Sequence, residues 1–234
     1  MRDHFAQLIE ITLTPDGKTA GRMRCDPRLI PAPGQYLMAQ ADQEPDAPLA
    51  TPIFSAGLCP GGFLAAPPLP AHWRPGIGLN VRGPIGKGFQ LPAAARCVAL
   101  AAFAAPSCAQ CKENPARLLA LLDPILAQNA AIVFLADHPP EGLPAAVEIS
   151  PLSALSETLG WADYLAFDAP RSALPALAQP IRAANYSRSG QILVEAPMPC
   201  GGISECSICA VNLLKGHKLA CKDGPVFDLK ILFE

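Results

Sequence analysis

Glycine is absent between Gly88 and Gly142, across the apolar run Cys97-Val-Ala-Leu-Ala-Ala-Phe103 and the residues that follow it. A dinucleotide phosphate needs a Gly-rich turn between a first strand and the next helix, so that backbone amides can approach the pyrophosphate. Here that turn would read Ala104-Ala-Pro-Ser-Cys-Ala-Gln-Cys-Lys112, which argues against NAD binding by the usual route. An excess of one charge is also lacking, since 18 basic and 20 acidic residues leave a formal net charge of −2. A duplex binder needs a basic face to displace counterions, so no nucleic-acid partner is expected. No apolar run reaches the length of a membrane span, and Met1-Arg-Asp-His-Phe5 opens no apolar export segment. These absences point to a cytoplasmic chain with no membrane partner, where structural disulfides are not expected.

What is present divides the chain near residue 93. Residues 6 to 90 carry the short apolar stretches Leu8-Ile-Glu-Ile-Thr-Leu13, Gln35-Tyr-Leu-Met38 and Leu79-Asn-Val-Arg82, separated by turn clusters such as Pro15-Asp-Gly17 and Pro31-Ala-Pro-Gly34. Short strands closely punctuated by Gly and Pro predict a small antiparallel β-barrel over residues 1–92. From residue 93 the rhythm changes to strand and helix in alternation. Strands are expected at Cys97 to Phe103, Ile132 to Ala136, Tyr164 to Phe167 and Gln191 to Glu195. Between them, Asn114-Pro115 offers an N-cap and a first-turn proline for a helix carrying Leu118 to Leu126. Further helices are expected near Leu152 to Leu159 and across Ala173 to Ala184, the latter weakened by Pro175 and Pro180. This pattern predicts an α/β domain with a parallel sheet over residues 93–196.

The last segment, residues 197–234, holds the densest chemistry. Cys200, Cys206, Cys209 and Cys221 follow the spacing C-x5-C-x2-C-x11-C, within the run Pro199-Cys-Gly-Gly-Ile-Ser-Glu-Cys-Ser-Ile-Cys-Ala210 and the later Ala220-Cys-Lys-Asp-Gly-Pro-Val-Phe-Asp228. That spacing lies one residue from the plant-type pattern that holds a 2Fe-2S cluster. Structural zinc usually takes paired CxxC knuckles, and only Cys206 and Cys209 form one here, so iron-sulfur leads zinc and disulfides. Gly201 and Gly202 let the backbone wrap closely round a metal centre. The loop leaves from the end of the strand ending at Glu195, the end of an open α/β sheet where ligands collect.

On these residues a family can be named. The order of barrel, α/β domain and cysteine cluster resembles the electron-transfer subunit of the two-subunit dihydroorotate dehydrogenase, within the ferredoxin-reductase superfamily. The likeness is carried by Val194-Glu-Ala-Pro-Met-Pro-Cys200, Cys206-Ser-Ile-Cys209 and Cys221-Lys-Asp-Gly-Pro-Val-Phe-Asp228, and extends to Pro33-Gly-Gln-Tyr36 and Gly83-Pro-Ile-Gly-Lys-Gly-Phe89. It implies a flavin-reductase-like barrel, a Rossmann-like α/β domain and a C-terminal 2Fe-2S segment. It also implies a flavin-containing catalytic partner in pyrimidine biosynthesis whose electrons the chain relays. Cys200, Cys206, Cys209 and Cys221 are then the cluster ligands, and Pro52, Phe54 and Ser55 the residues facing an FAD. The subunit is not itself the site of substrate chemistry, so no catalytic residue is assigned. Alternatives are a non-enzymatic adaptor on a degenerate reductase scaffold, or a subunit of a related sulfide dehydrogenase or transhydrogenase-type reductase.

The departures are specific. The first cysteine gap holds five residues where the family usually has four, so the loop through Ser204 and Glu205 must bulge. Thr51 stands where the family's FAD segment carries arginine, and threonine lacks the bidentate fork that meets phosphate. Phe63-Leu-Ala-Ala-Pro-Pro-Leu-Pro70 replaces the second flavin-binding stretch. A further CxxC, Cys108-Ala-Gln-Cys111, has no obvious partner ligands and reads as ordinary loop thiols. Cys25, Cys59 and Cys97 read as packing residues, Trp73 as a turn anchor beside His72, and His217 as part of a solvated hairpin tip.

Overall fold

A computed structural model of the chain describes residues 4–14, 17–42, 49–106 and 113–233. Six strands come first: β1 Phe5–Leu13, β2 Thr19–Cys25, β3 Tyr36–Ala41, β4 Thr51–Cys59, β5 Gly62–Ala65 and β6 Gly78–Ile85. They form the expected closed antiparallel barrel, in the order β1-β2-β5-β4-β3-β6. Alternation drives the closure. In β1, Ala6 and Leu8 point into the barrel while Phe5 faces solvent, and Phe5 pairs with Asn80 of β6 to complete the ring. Met23, Leu37, Ile53, Phe63 and Leu79 fill the interior, with Trp73 buried beneath them as the anchor of the turn after Pro70.

The second layer is a six-stranded sheet in the order β14-β11-β10-β7-β8-β9. Its strands are β7 Cys97–Ala102, β8 Ala131–Leu135, β9 Val147–Ser150, β10 Tyr164–Pro170, β11 Ser189–Glu195 and, from the C-terminal tail, β14 Val226–Asp228. All neighbours run parallel except β14, which pairs antiparallel with β11. The unbroken apolar runs of β7 and β8, and that of β10 interrupted only by Asp168, match strands covered on both faces. Leu118, Leu121, Leu122 and Ile125 cover one face against Val98, Leu100 and Phe134. On the other face, α2 Leu155–Trp161 and α3 Leu174–Ala183 pack Leu159, Leu177 and Ile181 against Leu165 and Phe167.

The helix after β7 differs from its expected form. Pro115 to Leu121 is a 3-10 helix, and only Leu122–Ala127, α1, is α-helical. Pro124 has no N–H to donate to the carbonyl four residues back, so the ladder cannot run unbroken through this stretch. Asn114 sits at the N-cap without a capping bond, because its Nδ2 donates to the Pro67 carbonyl at 2.6 Å. Pro175 and Pro180 both lie within α3, the first in its opening turn, where a missing N–H costs nothing. Among the described residues no helix is long and apolar enough to cross a membrane. The turn residues Pro15 and Asp16 and the Cys108–Cys111 pair lie outside the described residues.

Candidate functional site

The cysteine segment begins where β11 ends. Glu195 closes the strand, Ala196 and Met198 turn inward, and Gly201 then approaches the barrel. A Cβ on Gly201 would stand 2.5 Å from Met38 Cγ and 2.7 Å from Arg82 Nη2, and its φ of +51° lies in the left-handed region, so only glycine fits. Arg82 Nη2, from β6, donates to the Gly201 carbonyl at 2.6 Å. Arg171 Nη1 donates to the carbonyls of Ile208 and Ala210 at 2.9 and 2.7 Å. The loop is thus clamped by one guanidinium from the barrel and another from the end of β10.

A hairpin brings the distant cysteine back. Strands β12 Ala210–Asn212 and β13 His217–Leu219 pair Ala210 with Leu219, and the Ala220 amide donates to the Cys209 carbonyl at 3.0 Å. The short helix α4 Ala220–Asp223 follows, so Cys221 falls beside Cys209 despite the residues between them. Their Sγ atoms lie 3.1 Å apart, and both side chains are buried. Cys206 Sγ lies 3.7 Å from Cys200 Sγ, with Cys206 exposed and Cys200 half-buried. Hydrogen bonding around Ser204 and Gly202 brings the Cys200 thiol down to about 6, whereas burial and its neighbour Cys209 push Cys221 up to about 12. His217 is exposed at the start of β13 and takes no part in this grouping.

Among the described residues, no set of three or more His, Cys, Asp or Glu side chains gathers round a single ion. The thiols form two pairs instead. Two sulfurs on one tetrahedral metal, at bonds of about 2.3 Å, stand roughly 3.7 Å apart. A 2Fe-2S cluster asks for four thiolates, two on each iron. Four cysteines supply the number of thiolates such a cluster needs; the outer pair, Cys200 and Cys206, has the spacing of two ligands on one metal, whereas the buried inner pair, Cys209 and Cys221, stands closer than that. All the described cysteines carry free thiols; Cys25, Cys59 and Cys97 are half-buried away from this group.

The residues expected to face a flavin lie on β4. Pro52 is half-buried, whereas Phe54 is only 8% and Ser55 only 3% exposed. The Phe54 ring lies 5.6 Å from the Tyr36 ring and 5.4 Å from the Arg117 guanidinium carbon. Ser55 Oγ accepts from the Gly57 amide at 3.2 Å, within a bulge of its own strand. Arg117 itself is the unexpected residue of this region. Its Nε and Nη2 donate to the two oxygens of Asp168 at 2.7 Å each, and Nη2 also donates to Glu195 Oε2 at 2.7 Å. Burial works against the guanidinium charge, but Asp168 and Glu195 hold its pKa above the ordinary arginine range. Burial pushes the Asp168 carboxyl up, with the Arg117 charge pulling the other way. A sequence signal existed: Asp168 is the single charge within the apolar run of β10, and Arg117 the single charge between Asn114 and Leu122.

A cleft of about 670 Å³ opens between the barrel wall and the loops beyond β7 and β8. Leu13, Gly21 and Leu64 line it on the barrel side, with Glu113 and His138 opposite. Glu113 is buried and accepts from the His138 amide at 2.5 Å and from its Nδ1 at 3.2 Å. Sequence reasoning gave no hint of this pair, because its members are 25 residues apart and meet only through the fold.

No protein-family profile and no curated protein sequence matches the chain. Solved structures do. A chain of the NADH-dependent reduced ferredoxin-NADP oxidoreductase, described for flavin-based electron bifurcation, superposes with a TM-score of 0.70 at 13% identity, over 96% of this chain and 88% of that one. The chain has the ferredoxin-reductase fold. An Amycolatopsis cytochrome P450 reductase matches with a TM-score of 0.57 at 14% identity, covering 80% of this chain and 67% of its own. The flavohem-like FAD/NAD-binding domain of a Vibrio cholerae nitric oxide dioxygenase matches with a TM-score of 0.56 at 14% identity, over 84% of this chain and 100% of that domain. The cysteine segment closes back on both layers, held to the barrel by Arg82 and Tyr36 and to the sheet by β14.

Proposed function

We propose that the chain is an electron-transfer subunit of an oxidoreductase complex, in which Cys200, Cys206, Cys209 and Cys221 hold a 2Fe-2S cluster. The observation that carries this reading is that the fold brings Cys200 beside Cys206 and Cys221 beside Cys209, with Sγ separations of 3.7 and 3.1 Å. The likeness in fold to a ferredoxin-NADP oxidoreductase chain supports it. When bound, such a cluster supplies one-electron storage at a potential set by hydrogen bonds to sulfur and by exposure. The chain's own residues set those conditions. Buried Cys209 and Cys221 keep water from the inner side, exposed Cys206 offers the outer side to a partner, and Arg82, Arg171 and Tyr36 fix the loop.

The catalytic partner is a flavoprotein. The resemblance of the cysteine and tail segments supports, as that partner, the flavin-containing catalytic subunit of a dihydroorotate dehydrogenase, with a role in pyrimidine biosynthesis in the cytoplasm. A second reading is favoured by the missing glycine turn after β7: the chain is an iron-sulfur adaptor on a scaffold that no longer exchanges electrons with nicotinamide. Anaerobic co-purification with the candidate catalytic subunit, followed by iron and sulfide analysis, tests the site. Reduction by dihydroorotate in the presence of that subunit tests the partner. Zinc in place of iron would sink the relay, and a loaded protein that the cognate subunit leaves oxidised would sink the pathway assignment.

A further inference from the structure

We infer that this chain binds no flavin of its own, because Arg117 and its carboxylate partners fill the place against Phe54 that a flavin ring would need. The inference goes beyond the relay reading and rests on the barrel–sheet contact, not on the cysteines. A flavin held by β4 needs an open aromatic or apolar face, a hydroxyl ready to meet its polar edge, and donors for a diphosphate. None of these is available at Pro52, Phe54 and Ser55. Phe54 has Tyr36 to one side and the Arg117 guanidinium over its ring at 5.4 Å. Ser55 Oγ is engaged with Gly57, and Thr51 replaces a phosphate-binding arginine with a short hydroxyl.

The closure is built from both sides. Arg117 makes a forked pair with Asp168 on β10 and reaches Glu195 at the end of β11, so moving it aside would strand a buried carboxylate. The Ala66 amide donates to the Phe54 carbonyl at 2.9 Å, and Asn114 Nδ2 donates to the Pro67 carbonyl at 2.6 Å. The segment after β5, where the second flavin contact belongs, is thereby fastened to the start of the 3-10 helix that carries Arg117. The neighbouring cleft does not substitute. Glu10, Glu113, Asp137 and Glu141 line it against Lys18 and Arg22, an excess of carboxylates that opposes a diphosphate. A flavin-free chain has no group that accepts a hydride, so its electrons come from a flavin that the partner contributes.

The test is flavin titration of the purified full chain after anaerobic loading with iron and sulfide. FAD and FMN are added in excess, fluorescence quenching is followed, and retained flavin is measured after gel filtration. The expected result is no saturable quenching and no flavin co-eluting with protein. Saturable quenching with stoichiometric retention of either flavin overturns the inference. Iron and sulfide measured on the same sample report separately on the cysteine site, so failure of one reading is distinguishable from failure of the other.

Discussion

Tyr36 Oη donates a 2.9 Å hydrogen bond to the carbonyl oxygen of Cys221, so a strand of the barrel holds the backbone of the most distant cysteine. Burial, with Cys221 nearby, pushes the phenol well above its ordinary value, and it stays a donor across the neutral range. Replacing Tyr36 with Phe leaves that buried carbonyl without its partner. The expected loss is about 1–3 kcal/mol of unfolding free energy. Urea denaturation of metal-free wild type and Tyr36→Phe measures it, and faster iron release from the loaded variant is expected alongside.

Alanine at Cys209 or at Cys221 removes a buried thiol from the inner pair and is expected to abolish both iron and acid-labile sulfide after anaerobic loading. Cys97→Ala, in a strand far from the loop, is expected to leave both at wild-type content. Equal iron in Cys221→Ala and wild type would show that the metal sits elsewhere.

Asp168→Ala leaves the Arg117 guanidinium buried without its bidentate partner, and is expected to destabilise the fold by about 3–5 kcal/mol. The double substitution Arg117→Met with Asp168→Leu removes both charges together and is expected to recover most of that loss. Chemical denaturation of the wild type, the single and the double variants checks it. A double variant as unstable as Asp168→Ala would show that packing, and not the unpaired charge, dominates.

Glu113 gives the fold an acid-side dependence. Burial alone would raise its carboxyl, but hydrogen bonds from its own backbone and from the His138 amide and ring, with the imidazole charge, hold it below its ordinary value. A depressed carboxyl contributes stability that is fully present above the unfolded value of about 4.3 and is lost as pH falls through the folded value. Denaturation midpoints measured from neutral pH down to the acid limb are expected to fall less steeply in Glu113→Gln than in wild type below about pH 4. Identical acid limbs would exclude the linkage.

The strands that the sequence announced most clearly were those with a single physical job. Cys97 to Ala102 and Ala131 to Leu135 are apolar throughout, and Tyr164 to Pro170 is apolar but for Asp168, because both faces are covered, and each appears close to its expected place. In the barrel, the alternation around Leu8 and Leu79 was equally legible. β9 was not, since Val147-Glu-Ile-Ser150 is a short edge strand with Ile149 exposed and little pattern to read. The cysteines were visible in the chain because their spacing is local. Their division into an inner and an outer pair was not, because it depends on the β12–β13 hairpin register that sets Cys221 beside Cys209. Arg117 and Asp168 stood out only as isolated charges, and nothing in sequence could tell that they meet across 51 residues under Phe54.

The tail that supplies Cys221 goes on to form β14, whose Val226, Phe227 and Asp228 pair with Leu193, Ile192 and Gln191 of β11. Without that strand, β11 would present unpaired amides and carbonyls beside buried Ile192 and Val194, the kind of bare sheet border on which chains of different molecules add to one another. Cys221 lies five residues before Val226 in the same short segment. The short segment that carries Cys221 therefore also covers the border of the sheet.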